Sequence, residues 1–291
     1  MLTGSLVAMI TPMDEEGGID DDGLRKLVDF HVENQTDAII STGTTGESAT
    51  LDIDEQIDVI GKTVDFAAGR IPIIAGTGGN STSEALELTE RAAALGVHAC
   101  LLVVPYYNKP TQHGLYAHFR QIAETVDVPQ ILYNVPSRTA LDMENDTVVK
   151  LAQIPNIVGI KDATSDIPRV GDFKARCGNE FAIYSGNDDT ALALIEAGGH
   201  GCISVTANVA PGMMHEMCSA AVSGNLEHAR KLNARLDPLH HALFFESNPI
   251  PAKWALHEMG YVTRGIRLPL TVFSEQYHEE LRQAMRTAEV I

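Results

Sequence analysis

Asn156-Ile-Val-Gly-Ile-Lys-Asp162 is an apolar run that does not alternate with polar residues, and an amine stands at its carboxyl end. Such continuity predicts a strand buried on both faces, the kind that helices cover in a parallel sheet. Seven more Val/Ile/Leu-rich runs recur along the chain: Leu6 to Ile10, Ala38 to Ile40, Ile71 to Ala75, Ala99 to Val104, Gln130 to Tyr133, Phe181 to Tyr184 and Gly201 to Val205. Between them lie helical periods, such as Leu24, Leu27, Val28 and His31, or Ala85, Leu88, Ala92 and Leu95. Eight strands alternating with helices predict an α/β fold, a closed (β/α)8 TIM barrel. The alternative is a doubly wound open sheet. No G-x-G-x-x-G follows the first strand, however, and Gly76-Thr-Gly-Gly-Asn80 breaks that pattern at Ser81.

After about residue 224 the strand signal ends. Helices are expected over Leu226 to Phe245, Pro251 to Met259 and Ser274 to Ala288, with Pro249, Pro251 and Pro269 where the chain turns. The expected division is therefore a barrel catalytic domain over 1–224 and a C-terminal helical appendage over 225–291. With 291 residues, 44% of them hydrophobic, the chain can bury a large core. A net charge of -18 without any Lys/Arg cluster argues against nucleic acid, since phosphate binding needs a basic face. The first ten residues read as a strand rather than a signal peptide, and no apolar segment is long enough to span a bilayer. Cys100, Cys177, Cys202 and Cys218 are scattered without a C-x-x-C pair, which points to reduced thiols and a cytoplasmic protein. Cys100 and Cys202, inside strand-like runs, read as small core hydrophobes.

A barrel places catalytic groups where strands end. Thr44 and Thr45 follow the second strand, Tyr106 and Tyr107 follow the fourth, and Tyr133 ends the fifth with Arg138 just beyond. Lys161 ends the sixth, and Gly186 and Ile203 mark the last two. Burial disfavours an ammonium relative to the free amine, and only the free amine attacks a carbonyl carbon. A lysine that caps a strand and snorkels to water is the competing reading of Lys161. Used chemically, such an amine condenses with a keto acid to a Schiff base, whose iminium accepts electrons as the adjacent carbon loses a proton. Every step moves protons, so hydroxyls are needed nearby. Tyr133 on the neighbouring strand end suits that task, Thr44 could pass the proton on, and Tyr107 could connect it to solvent. Arg138 offers a planar fork for a carboxylate, or is simply a loop arginine. Gly43-Thr-Thr-Gly-Glu47 lacks the P-loop spacing and its lysine, so its donors suit a small carboxylate better. Thr44 with Glu47 also has the spacing of a capping box.

Metal and hydrolase chemistry find no support. The eleven histidines contain no H-E-x-x-H, and His240-His241 is expected on the exposed side of the appendage. No G-x-S-x-G elbow is present.

These residues together resemble the dihydrodipicolinate synthase family, within the N-acetylneuraminate lyase superfamily. The carriers are Gly43-Thr-Thr-Gly-Glu-Ser48, Val104-Pro-Tyr-Tyr-Asn-Lys-Pro110, Tyr133-Asn-Val-Pro-Ser-Arg-Thr139, Gly159-Ile-Lys-Asp162, Ser185-Gly-Asn-Asp188 and Asn248-Pro-Ile-Pro-Ala-Lys-Trp254. The resemblance implies that Lys161 forms the Schiff base with pyruvate, and that Thr44, Tyr133 and Tyr107 relay protons, with Tyr107 given by a neighbouring subunit. It implies that Thr45 holds the pyruvate carboxylate, Arg138 takes the carboxylate of L-aspartate 4-semialdehyde, and Gly186 and Ile203 line the pyruvate site through their backbones. It further implies a lyase of diaminopimelate and lysine biosynthesis, working without metal or organic cofactor as a homotetramer of two tight dimers. Lysine-inhibited members have a regulatory pocket, matched here by Ser48, Ala49, Asn80, Glu84 and Tyr106. Ile53 and Gln56 depart from it, standing where those members carry histidines. Glu84 also fits a capping box, Ser81-Thr-Ser-Glu84.

Two rivals stay open. Other pyruvate-dependent aldolases of the superfamily, acting on sialic or keto-deoxy sugar acids, share the Tyr and the Lys, whereas Arg138 in Pro-Ser-Arg-Thr favours a short acidic aldehyde. A non-catalytic sensor on the same fold is the second, and it would not be labelled through an imine.

Overall fold

In the computed structural model, which describes all 291 residues, eight strands form a closed barrel, each parallel to its neighbours. They are β1 (Gly4–Ala8), β2 (Ala38–Ser41), β3 (Ile73–Gly76), β4 (Ala99–Val103), β5 (Gln130–Asn134), β6 (Ile157–Asp162), β7 (Ala182–Ser185) and β8 (Gly201–Ser204), with β8 pairing back onto β1. No boundary differs from the sequence expectation by more than two residues.

Helices α1 (Asp21–Glu33), α2 (Ile53–Ala67), α3 (Thr82–Ala94) and α4 (Gln112–Thr125) start where short polar side chains accept the free backbone N–H groups of the first turn: Asp20, Asp52, Ser81 and Thr111. Proline opens α5 (Pro136–Thr139), α7 (Pro168–Cys177) and α9 (Pro211–Val222), where its missing N–H costs nothing. The short helices α6 (Asn145–Leu151) and α8 (Ala191–Glu196) complete the ring.

Two apolar layers result from the strands' alternation. Leu6, Ile40, Ile74, Leu101, Ile131 and Tyr184 point inward with other members of a cluster of 14 buried residues. Their neighbours Val7, Ile39, Ile73, Leu102, Leu132 and Ile183 point outward into a cluster of 66 between strands and helices. Each fully buried aliphatic side chain contributes about 1.5–3 kcal/mol. The C-terminal helices α10 (Leu226–Ala242), α11 (Ile250–Glu258) and α12 (His278–Thr287) bury Leu236, Trp254 and Leu281 in that same outer cluster. Their apolar faces therefore continue the barrel's outer core. The step from 224 to 225 falls in the turn between α9 and α10, where Gly224 takes φ +85°.

One irregularity sets the site. β5 and β6 pair as Gln130 with Ile157, then Ile131 with Gly159, so Val158 is an extra residue on β6. The bulge re-aims the remainder of β6, and Tyr133 stands level with Lys161 on the inward face. Gly159 is required just after it, since a Cβ there would lie 2.6 Å from the Ala182 carbonyl oxygen.

Two buried side chains close the ring at its carboxyl end. Asn208 accepts from Ile10 N at 3.0 Å and donates to Ala8 O at 2.8 Å and Val205 O at 3.0 Å, tying β1 to the turn after β8. Asp188 accepts from Ser204 Oγ at 2.5 Å, Val205 N at 2.9 Å and Thr206 N at 3.1 Å. His240 is buried, correcting the expected exposure. Its Nδ1 meets Thr206 Oγ1 at 2.8 Å, because α10 turns this face toward the barrel, while His241 faces water.

Candidate active site

A cavity of about 650 Å³ opens at the carboxyl end of the barrel. Thr44, Thr45, Tyr133, Arg138, Lys161 and Gly186 all line it, although they are delivered by the ends of different strands. Lys161 is only 5% exposed, and its Nζ lies 4.2 Å from the centroid of the Tyr133 ring. So buried a side chain does not extend along the outer surface, and its amine faces the cavity, which counts against the snorkelling alternative. Gly186 supplies the space: a Cβ there would stand 3.1 Å from Lys161 Cε.

Asp162 points the other way, into the outer layer, 2.8 Å from the Arg169 guanidinium. Burial pushes its carboxyl above the ordinary value in spite of that cation. Arg169 also reaches Asp142 Oδ2 at 3.2 Å and Met143 O at 2.8 Å, so the end of β6 is anchored from behind while Lys161 faces the cavity.

The Thr45 hydroxyl is buried and accepts from Asn248 Nδ2 at 2.9 Å. Thr44 is half-buried beside it, on a turn where Thr42 and Glu47 take φ +55° and +57°. Left-handed backbone at such residues is strained and clusters at functional loops. No helix begins at Thr44. Glu47 is instead buried with its carboxylate on Lys253, and the capping-box reading of this pair fails for that reason. At Ser81 half of the expected box forms: Ser81 Oγ accepts from Glu84 N at 3.5 Å, with no return bond from the exposed Glu84 side chain. Arg138 is exposed at the rim, with a single 3.4 Å contact from Nη2 to Asn248 O, and its fork remains open to a carboxylate.

One expected residue stands elsewhere. Ile203 is fully buried in the inner layer beneath the cavity wall, which is formed instead by Val205 after the strand's end. Tyr107, expected to serve a neighbouring subunit, is 89% exposed at φ +72° and does not line its own chain's cavity, because the loop after β4 carries it outward.

A second cavity of about 270 Å³ shares Thr44, Val135 and Arg138 with the first. Ser48, Ala49, Glu84 and Tyr106 line it, as do Ile53 and Gln56. Asn80 does not; its carbonyl accepts from Asn108 Nδ2 at 2.8 Å. Gln56 donates to Leu51 O at 3.1 Å and Ser48 O at 3.4 Å, so its amide is occupied by backbone.

Sequence reasoning passed over Phe244 to Ser247, which with Asn248 form one wall of the larger cavity, and it named Asn248 and Lys253 only within a motif, without a role for either. A signal existed for the lysine. It stands inside the apolar run Ile250-Pro-Ala-Lys-Trp-Ala-Leu256, where a charge is costly unless it is paired. No grouping of three or more His, Cys, Asp or Glu side chains could hold a metal ion.

Known proteins share this fold over its whole length. Residues 1–288 match the family described as the dihydrodipicolinate synthetase family. A 4-hydroxy-tetrahydrodipicolinate synthase of Stutzerimonas stutzeri is 60% identical over 291 residues, covering the whole of both chains. The crystal structure of the chloride-inhibited dihydrodipicolinate synthase from Acinetobacter baumannii, complexed with pyruvate, superposes with a TM-score of 0.98 at 54% identity, again over both whole chains. Dihydrodipicolinate synthase from Aquifex aeolicus superposes at 0.97 with 45% identity, over 99% of this chain and 98% of that one.

Proposed function

Because the chain belongs to the dihydrodipicolinate synthetase family, we propose that it condenses pyruvate with L-aspartate 4-semialdehyde through a Schiff base on Lys161. It is a lyase-type enzyme that joins two substrates, on the path to diaminopimelate and lysine, and pyruvate itself is the covalently held group. The observation that carries this reading is the Lys161 amine, 5% exposed on the cavity wall beside the Tyr133 ring, with the Arg138 guanidinium at the same cavity's rim.

The Lys161 amine adds to the pyruvate carbonyl, and the carbinolamine loses water to give an iminium. Loss of a methyl proton then yields an enamine, whose carbon attacks the aldehyde. Tyr133 exchanges these protons, and Thr44 links it to the second cavity's side of the loop. Thr45 and neighbouring backbone N–H groups hold the pyruvate carboxylate. Arg138 takes the carboxylate of the semialdehyde, a bidentate pairing a sugar's hydroxyls cannot replace. Gly186 leaves room for the imine, and Ile203 supports the wall from below.

The enzyme works as a homotetramer in the cytoplasm, with Tyr107 completing a neighbour's relay. Supporting this are the exposure of Tyr106 and Tyr107, the left-handed backbone at Tyr107, and four unpaired cysteine thiols. No helix is long and apolar enough to cross a membrane. A regulatory lysine at the second cavity would have Glu84 for its ammonium, but apolar Ile53 and the backbone-bound Gln56 amide leave fewer groups for the rest of it.

Borohydride reduction in the presence of pyruvate tests the proposal. A reduced pyruvyl adduct on Lys161 is expected, and none in Lys161→Arg, because a guanidinium is not deprotonated in proteins. An unlabelled wild-type protein, or turnover by that variant, contradicts the mechanism. Cleavage of sugar acids faster than condensation with the semialdehyde would favour the aldolase rival.

A further inference from the structure

The chemistry above leaves one buried ion pair unused. Lys253 on α11 is 3% exposed, Glu47 after β2 is 4% exposed, and Lys253 Nζ donates to Glu47 Oε1. Taking two charges out of water costs several kcal/mol per ion before their attraction is counted, and apolar residues of similar volume often serve stability as well. Burial pushes the Lys253 amine below its ordinary value, against the pull of Glu47. Stability alone therefore gives no reason for the pair to be there.

Its connections do. Glu47 ends the turn that carries Thr44 and Thr45: its N–H donates to Thr44 O at 3.2 Å, and Ser48 N donates to Gly43 O at 3.3 Å. With φ +57°, Glu47 sits in strained backbone that needs holding from outside the turn. Its second carboxylate oxygen accepts from Arg267 N at 3.2 Å. Lys253 belongs to the segment whose Asn248 donates to Thr45 Oγ1 at 2.9 Å. Turn and segment are thus joined twice, once by the hydroxyl contact at the cavity and once by the ion pair behind it. The second joint fixes the distance at which the first is made.

We propose that Glu47 and Lys253 are positioning residues that hold the Thr44–Thr45 turn, and with it the pyruvate end of the cavity, in register with Lys161. This rests on the reaction proposed above. Neither side chain lines the cavity, so their effect on turnover passes through the threonines.

The test compares Glu47→Gln, Lys253→Met, the double variant and Glu47→Asp in the full-length protein, reading melting temperature and KM for each substrate. Either single variant strands a buried charge, so melting temperature falls and pyruvate KM rises at least about tenfold, with the semialdehyde KM within about twofold. The double variant strands no charge, and its melting temperature recovers while pyruvate KM stays raised by about tenfold. A merely structural pair predicts instead that KM recovers together with melting temperature, and that result overturns the proposal. Glu47→Asp keeps both charges and shortens the reach; it is expected to raise pyruvate KM at least about threefold at near-normal stability. Wild-type pyruvate KM in Glu47→Asp also overturns it. Borohydride labelling of the wild type separates the two failures: labelled wild type with an unchanged variant KM sinks only the positioning role, and unlabelled wild type sinks the reaction itself.

Discussion

Gly186 carries no side chain because the cavity wall has no room for one. A Cβ would stand 2.7 Å from Ala163 Cβ, which has no rotamer to escape into, and 3.1 Å from Lys161 Cε, so both the strand end at Ala163 and the Lys161 side chain would have to shift. Gly186→Ala is expected to lower kcat about 10- to 100-fold, since a displacement near 1 Å at a reacting group has effects of that size, with a stability loss of about 1–3 kcal/mol. Steady-state kinetics beside chemical denaturation would check it, and wild-type kcat in the variant would refute it. At this scale the sequence was informative wherever a residue's position follows from the strand beside it. Lys161 and Tyr133 sit at strand ends and Thr45 on the turn that follows one, and the barrel carries every strand end to one mouth. Ile203 shows the limit of that rule, because a residue near a strand's end can still be buried in the inner layer below the mouth. Asn248 and Lys253 reach the site over 203 and 206 residues of chain from Thr45 and Glu47, and no local pattern encodes such a meeting.

Among the elements, β6 shows how one additional residue decides chemistry. Side chains on a strand alternate faces, so the extra Val158 determines which of Ile160 and Lys161 looks inward. The eight strands were readable from their continuous apolar runs, whereas the bulge was not, since it is a property of how β6 pairs with β5. Closure between β8 and β1 depends similarly on a polar residue inside an apolar neighbourhood. Asn208→Ala would leave Ile10 N–H and Ala8 C=O without their partners, at about 2–4 kcal/mol for the two groups. Urea denaturation at neutral pH would measure this, and a shift below about 1 kcal/mol would mean that water replaces the side chain. His240 belongs to the same layer. It reads as surface in sequence because a helix places each fourth residue on one face, and only the docking of α10 says which face is hidden.

Across the whole molecule, buried histidines make the fold sensitive to acid. Burial lowers His31 to about 3 and His118 to about 4, each with its Nδ1 on a threonine, Thr36 and Thr82. Both are neutral in the folded state and take up protons on unfolding once pH drops below about 6.5. Their contribution is therefore fully present above that pH and is lost on descending from about 6.5 toward 4, at about 1.4 kcal/mol per group per pH unit. His31→Leu should flatten the stability profile by that amount over the same window. Parallel profiles for wild type and variant would show that His31 does not titrate as described. A surface carrying a net charge of -18 loses repulsion in the same range, which is why the comparison must be with the variant, not with a calculated curve.

The unbroken ring from β1 to β8 also governs how this protein meets other chains. An open sheet ends in a strand whose amides and carbonyls invite a stranger to zip on, and stacked fibrils grow from such rims. A cylinder presents no rim. Any contact with another chain has to be made by side chains, of which Tyr107, Leu268 and Val272 are exposed apolar ones in loops, and side chains can fit one partner and refuse the rest.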